Sequence, residues 1–217
     1  MGRICFQTSR IQYLDEQLLR SCYMTGLEGI AWERNIAFAG DRLIVDRQTH
    51  ESGHFFFPWR NKAGLEFMLG TTSLREGQGD YQLEVELARG TLHRLRTYLA
   101  ERSQQFKLSQ SYTDQLTEAH EHLLEAVLSW RQDPQFAGTA ASKAIEICLG
   151  MINQISVEDA DHLMEARHQA GMANPLFGIK LGEMPQAPQE QQELSQSFDS
   201  VMIPFNWNAV SPDEGKF

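Results

Sequence analysis

His120, Glu121 and His122 stand together, and Asp159, Asp161 and His162 form a second group of acid and histidine. Imidazole and carboxylate are both metal ligands, so each group is a candidate for zinc-type chemistry. Both lie in stretches of helical period, where residues two apart point about 200° from each other. His120 and His122 therefore diverge, as do Asp159 and Asp161, and no HExxH motif brings two histidines onto one face. A solvated helix face is the expectation for each group, and no metal site is assigned. The cysteines, at 5, 22 and 148, are odd in number and lack CxxC spacing, which argues against a disulfide framework and a thiolate zinc site. Cys148 sits among Ile145, Ile147 and Leu149, a setting for a buried, unreactive thiol rather than a nucleophile. The glycines between Gly70 and Gly79 lack the GK[ST] ending of a phosphate loop. Gly77 to Asp80 reads as a loop whose last residue caps the next helix. Trp32, Phe55, Phe57 and Trp59 fall on strand-like segments. A flat array of such rings stacks on sugars when exposed. Aromatic strand residues are more often sheet core, and that is the expectation.

The elements that would position these residues change character along the chain. Residues 3 to 72 carry β-favouring runs around turn residues. The stretch from Ile30 to Phe38, then Ala39-Gly40-Asp41, then Arg42 to Asp46 predicts a hairpin. His54 to Trp59 and Leu65 to Thr71 predict another, and the set implies a small antiparallel sheet or sandwich. Tyr13 to Leu19 reads as a helical turn or loop. From Tyr81 the period becomes helical: Leu83, Leu87, Leu92, Leu95 and Leu99 mark one buried face. Gly90 interrupts it at about 1 kcal/mol relative to Ala, which a close packing contact would justify. A second helix is expected over 113–130 with Thr113 as N-cap and a stripe of Leu116, Leu123, Leu124, Val127 and Leu128. A third starts at Asp133-Pro134 and ends near Ile155. Ser156 to Asp159 resembles a capping box, so a fourth runs from there to Gly171. Four helices with short connections would form an antiparallel bundle. Leu176 to Gly182 and Ser200 to Pro204 are strand-like, with a polar, partly helical connection between them. Strand, helix and strand begin a βα repeat. The expected fold class is α+β, with an antiparallel β domain over 1–80, an antiparallel helical segment over 81–172, and a βαβ start over 173–217.

The chain has 217 residues, 41% of them hydrophobic and 22% charged, with a formal net charge of −10. These are globular values. The acidic balance disfavours binding to a phosphate backbone, and the densest basic run, His93-Arg94-Leu95-Arg96, is short. No apolar run approaches the ~20 residues of a membrane helix. The first residues lack the apolar centre of a secretory signal, so a cytoplasmic location is expected.

The segment Phe198 to Phe217 carries a resemblance. Its strand ends before Trp207, followed by Pro212, Gly215 and the aromatic Phe217. This is similar to the second barrel strand of clan A glycoside hydrolases, above all family 10, the endo-1,4-β-xylanases. The Phe177-Gly178 run resembles the first strand of that family. Val85 to Arg96 resembles a helix in longer bacterial members, which carry a β-rich domain before the barrel. Family members place Glu-Asn and a Lys before the Trp, whereas this chain has Pro204-Phe205-Asn206.

The resemblance implies an incomplete (β/α)8 barrel over 173–217 and a parent enzyme acting on β-1,4-linked, xylan-like polysaccharide or oligosaccharide. Retaining glycosidases need two carboxyls about 5–5.5 Å apart, at the C-terminal ends of barrel strands. The family takes them from the fourth and seventh strands. At about 30 residues per repeat the chain reaches only the second, so no catalytic residue is assigned and these residues alone are expected to be inactive. Glu183, after the first strand, and Asn206 and Trp207, after the second, are the implied substrate-binding residues on the barrel rim. No cofactor is implied. The expected partner is β-linked carbohydrate, not nucleic acid or membrane, with self-association through the incomplete barrel. The alternative is a non-catalytic β-plus-helical module that binds carbohydrate or a protein partner.

Overall fold

The computed structural model describes residues 2–9, 16–40, 42–77, 79–102, 109–172, 176–181 and 187–202. The chain divides into two compact units, 1–157 and 158–217.

In the first unit, one sheet holds β1 (Gly2–Gln7), β3 (Arg34–Ala39), β4 (Arg42–Arg47) and β7 (Tyr81–Gln82) in the order β3-β4-β1-β7. A second sheet holds β2 (Tyr23–Thr25), β5 (His54–Arg60) and β6 (Glu66–Gly70) in the order β2-β5-β6. A short helix, α1 (Glu16–Ser21), leads into β2. Both expected hairpins form. β3 and β4 pair antiparallel around Gly40, whose φ of +66° suits a residue without Cβ. β5 and β6 pair through a turn in which Asn61 Oδ1 accepts from the Leu65 N–H, with Gly64 at φ +83°. Period-two alternation sends Ile4, Phe6, Leu43 and Val45 from one sheet, and Met24, Phe55, Phe57, Trp59 and Leu69 from the other, into one core. The Phe6 and Phe55 rings stack across it with centroids 5.0 Å apart. Each such side chain contributes about 1.5–3 kcal/mol on full burial. Phe55, Phe57 and Trp59 are thus core, not an exposed sugar-stacking array. Trp32 is half-buried beneath the Arg47 guanidinium, 5.3 Å from its ring centroid.

The long helices are α2 (Leu83–Arg102), α3 (Gln110–Ser129) and α4 (Pro134–Gln169). The first turns of α2 place Leu83, Val85, Leu87 and Ala88 in the sheet core, which Ala137, Ala141 and Ile145 of α4 also join. Further along, Leu92, Leu95 and Leu99 pack with Tyr112, Ala119, Cys148, Met151 and Ile155 in a second cluster. Sheets and helices therefore share one core, and the expected boundary at residue 80 falls inside it.

Three local expectations need correction. Thr113 is not the N-cap of α3; that position is Ser109, and Thr113 lies inside the helix with its carbonyl accepting from Thr117 Oγ1. The buried face of α3 is Tyr112, Ala119 and Ala126, while Leu124 and Leu128 are 58% and 71% exposed. Leu116, Leu123 and Val127 of the expected stripe pack partly buried against the cores, so only Leu124 and Leu128 fall outside. The third and fourth helices are one continuous α4 of 36 residues. The Ser156 hydroxyl donates to the Ile152 carbonyl one turn back instead of capping a new start. The ends of α4 follow its sequence signals. Asp133 Oδ1 accepts from the Phe136 N–H at the start, and Gly171 takes φ +66° just past the end.

The second unit contains β8 (Gly178–Lys180), α5 (Pro188–Ser197) and β9 (Ser200–Met202). β8 and β9 pair in parallel, with Gly178 opposite Ser200, Ile179 opposite Val201 and Lys180 opposite Met202. Pro188 opens α5, and Glu190 Oε2 accepts from the Ala187 N–H. Among the described residues no helix is long and apolar enough to cross a membrane. The whole is an α+β chain.

Candidate functional site

Glu183, Asn206 and Trp207 lie outside the described residues. The strands that lead to them are described. The crossover from β8 through α5 to β9 is closed at its base by Asp199, whose Oδ2 accepts from the Phe177 N–H at 3.0 Å. The Asp199 N–H in turn donates to the Phe177 carbonyl at 2.8 Å. In sequence, Glu183 comes after β8, and Asn206 and Trp207 come after β9. Next to β8, Phe177 is 52% exposed, and on β9 Val201 is 48% and Met202 64% exposed, while Ile179 is half-buried.

The first unit holds a separate set of chemically capable side chains where β7 runs into α2. β7 pairs in parallel with β1, Phe6 opposite Tyr81 and Gln7 opposite Gln82, and this pairing fixes the start of the helix. That first turn is apolar on all sides, so its two glutamates are buried with it. Residues two apart on a helix face opposite ways. Glu84 turns toward the end of β1, where its Oε1 accepts from Thr8 Oγ1 at 2.7 Å, Ser9 Oγ at 2.8 Å and the Ser9 N–H at 2.9 Å. Gly138 of α4 leaves room for this cluster: a Cβ there would stand 2.4 Å from Ser9 Oγ. Glu84 therefore ties the segment just after β1 to α2, and Gly138 of α4 packs against Ser9.

Glu86 instead meets Arg89, whose Nη1 donates to both of its carboxylate oxygens at 3.0 and 3.1 Å. Burial raises the Glu86 pKa above its ordinary value, and the Arg89 charge only partly offsets this. Beside them is a cleft of about 160 Å³, bounded by Tyr81, Gln82, Val85 and the C-terminal end of α3 at Trp130 and Arg131. Asp80, at its edge, does not cap α2. Its carboxylate is held instead by Arg42 at 3.1 Å and Gln7 at 3.4 Å. Tyr81 is anchored through its hydroxyl, which donates to the Arg75 carbonyl and accepts from the Arg75 N–H. Gln82 donates to the Pro134 carbonyl, while its buried Oε1 has no hydrogen-bond partner among the described residues. Glu84 and Glu86 diverge, so the carboxyls at the cleft are those of Glu86 and, at its edge, Asp80.

Sequence reasoning singled out Asp80 here but passed over Gln82, Glu86, Arg89 and Trp130. The signal was present in Leu83, Val85, Leu87 and Ala88, an apolar turn with no polar face, within which any ionisable side chain is buried.

The two histidines of the first group each bond locally. His120 Nδ1 bonds to the Leu116 carbonyl, and His122 Nδ1 pairs with Glu125 one turn on. Among the described residues, no group of three or more His, Cys, Asp or Glu is placed to hold a metal ion. Cys148 is fully buried, and desolvation pushes its thiol up to about 12, as it does for Cys22.

No family model, no curated protein and no solved structure matches this chain.

Proposed function

We propose that this chain is the front of a glycoside hydrolase of the family 10 type, acting on β-1,4-linked polysaccharide or oligosaccharide. The observation that carries the reading is the parallel register of β8 and β9 across α5, in the segment whose residues resemble the first two strands of that barrel. Parallel strands joined by a helix belong to sheets covered on both faces. Phe177 and Val201 await such cover. In this reading the first unit is the appended scaffold. The 173–217 segment begins the barrel, and Glu183, Asn206 and Trp207 form part of the sugar-binding rim. The catalytic carboxyls belong to later strands and are not residues of this chain, and the chemistry needs no cofactor. In the 217-residue chain the open faces of β8 and β9 favour self-association.

The test is hydrolysis of β-1,4-xylo-oligosaccharides by the product of the gene's complete reading frame, with the 217-residue chain as the inactive control. Substitution of Asn206 or Trp207 by Ala in that product is expected to lower kcat/KM by about tenfold or more, the loss of one hydrogen bond or ring contact. A frame that closes directly after the Phe217 codon would overturn the reading, as would a full-length product inert toward β-1,4-linked oligosaccharides.

A further inference from the structure

We propose that β3 is the contact edge of a homodimer: the β3 strands of two copies pair antiparallel about a two-fold axis at Ile36 and join their four-stranded sheets into one. The contact lies in the first unit, does not rest on the hydrolase reading, and is separate from the faces of β8 and β9.

The sheet edges of the first unit differ in how they end. β7 has two residues and β2 three. β2 is also lined by the turn that follows it, where the Trp32 N–H donates to the Met24 carbonyl and the Gly26 N–H to the Ile30 carbonyl. At the end of β6, the Gly70 carbonyl accepts from Arg94 of α2. β3 is six residues long and stands at the end of its sheet. Among the described residues, its main chain takes no hydrogen bond from outside that sheet. Proline, lysine and bulges ordinarily keep such an edge from pairing. β3 has no proline or lysine, and its register with β4 runs unbroken. Its one charged side chain, Arg34, is occupied elsewhere, donating to the Cys22 carbonyl at 2.6 and 3.2 Å.

The hairpin decides which backbone groups are free. Ala39 pairs with Arg42 across a two-residue turn, and the pair that closes such a turn is of the hydrogen-bonded kind. Pair types alternate along an antiparallel ladder. Ala37 and Asn35 therefore bond to β4, while the N–H and C=O groups of Arg34, Ile36 and Phe38 point away from it. These three are evenly spaced about Ile36. In an antiparallel copy centred there, Ile36 meets its own counterpart and Arg34 meets Phe38, so every free donor finds a free acceptor. A slip in either direction leaves some of them unpaired.

The side chains suit the same register. Ile36 and Phe38 are half-buried, while Val45 and Leu43 opposite them on β4 are fully buried. A strand added at this edge extends the cover over both. On the other face Asn35 and Ala37 are small and exposed, and each stands opposite the other in the dimer. Glu33, just before the strand, faces Ala39, so no like charges meet. One six-residue edge is a small contact, and the dimer is accordingly weak and concentration-dependent. The net charge of −10 opposes association, so salt strengthens it.

The experiment is sedimentation of the 217-residue chain over a wide range of concentration, with amide exchange followed at both ends of that range. A monomer–dimer equilibrium that tightens with salt is expected, with protection of the Ile36 and Phe38 amides rising with concentration. Asn35→Asp combined with Ala37→Asp places like charges directly opposite across the axis and is expected to weaken association about tenfold. Both side chains are exposed, so the melting temperature of the dilute variant stays close to the parent's. Asn35→Lys with Ala37→Lys has the same effect alone, and mixing the Asp and Lys variants restores pairing, which a misfolded variant would not do. Val201→Lys on β9 leaves the protection of Ile36 and Phe38 unchanged. The proposal is overturned if the chain stays monomeric, if those amides exchange at a rate independent of concentration, if the Asp variant associates like the parent, or if the mixture fails to restore pairing.

Discussion

Gly90 of α2 rests directly on the backbone of Gly70 at the end of β6: a Cβ at position 90 would lie 2.1 Å from the Gly70 carbonyl oxygen and 2.7 Å from the Thr71 carbonyl carbon. Arg94, one turn further along α2, donates to the same Gly70 oxygen. Gly90→Ala gains about 1 kcal/mol in helix propensity but drives a methyl into backbone that cannot turn aside. Overpacking of this kind costs about 1–3 kcal/mol or more. The variant is expected to melt several degrees lower. Gly150 of α4, with nothing within 4 Å of its Cβ position, is the control. Gly150→Ala keeps only the propensity gain and is expected to melt about 2–4 °C higher. Thermal denaturation of the two variants side by side decides the matter.

Burial lifts the pKa of Glu86 above its ordinary 4.5, so its protonated form favours the folded state. Its contribution to stability is full below pH 4.5 and is lost as pH rises through the raised folded value. Glu86→Gln removes that dependence. The melting temperature of the variant relative to the parent is therefore expected to climb across the same interval and then level off. Asp46 and Glu76, whose pKa values are lowered by Arg3 and by His50, act with the opposite sign, but they are present in both proteins and cancel in the difference. A difference that falls with rising pH would contradict the assignment.

Arg47 is 2% exposed, and its Nε and Nη2 have no hydrogen-bond partners among the described residues. It sits over the Trp32 ring and donates to Met24 Sδ at 3.5 Å, and burial lowers its pKa, which the Glu76 charge only partly offsets. A charge so poorly compensated contributes little net stability, and an apolar side chain of similar length is often neutral or better by about 1–4 kcal/mol. Arg47→Met is expected to match or exceed the parent in urea denaturation, and a midpoint well below the parent's would show that the guanidinium is needed.

The thiols of Cys22 and Cys148 are fully buried and pushed up to about 12, whereas Cys5 is half-buried on β1. A disulfide reagent at pH 8 is therefore expected to titrate Cys5 alone in the folded chain, and slowly. The other two should react only after denaturation, with a quantitative thiol count as the measurement.

The parts of this fold that were legible in sequence are those where local and tertiary preferences agree. Gly40 and the Asn61–Gly64 turn announce their hairpins, and the α2 stripe, with Gly90 flagged as needing a close neighbour, is matched by the packing. What escaped had little local signal or a misleading one. β2 spans three residues and β7 two, too few to show a period. Ser156 carries a start signal that the continuing helix overrides, because Ile155 and the residues before it are already committed to a buried face. On α3, fully buried Ala119 and Ala126 count for little in a pattern that weighs large side chains. As for the sites, Glu183, Asn206 and Trp207 came from a resemblance, not from any periodicity. The cleft residues were hidden because Glu84 and Glu86 look like surface, and only their neighbours reveal that they are not.

The central place of β1 also dictates an order of events during synthesis. It pairs with β4 on one side and with β7 on the other, partners drawn from about 40 and 75 residues further along. Such distant closures are slow relative to helix formation. On the ribosome the β3-β4-β1 ribbon is complete before β7 and α2 emerge and β7 pairs with the free edge of β1. Until then, the inner faces of Ile4, Phe6, Leu43 and Val45 and an open strand edge are offered to any neighbouring nascent chain, and translation through residue 82 and the following helix is the interval in which this protein is most exposed to aggregation.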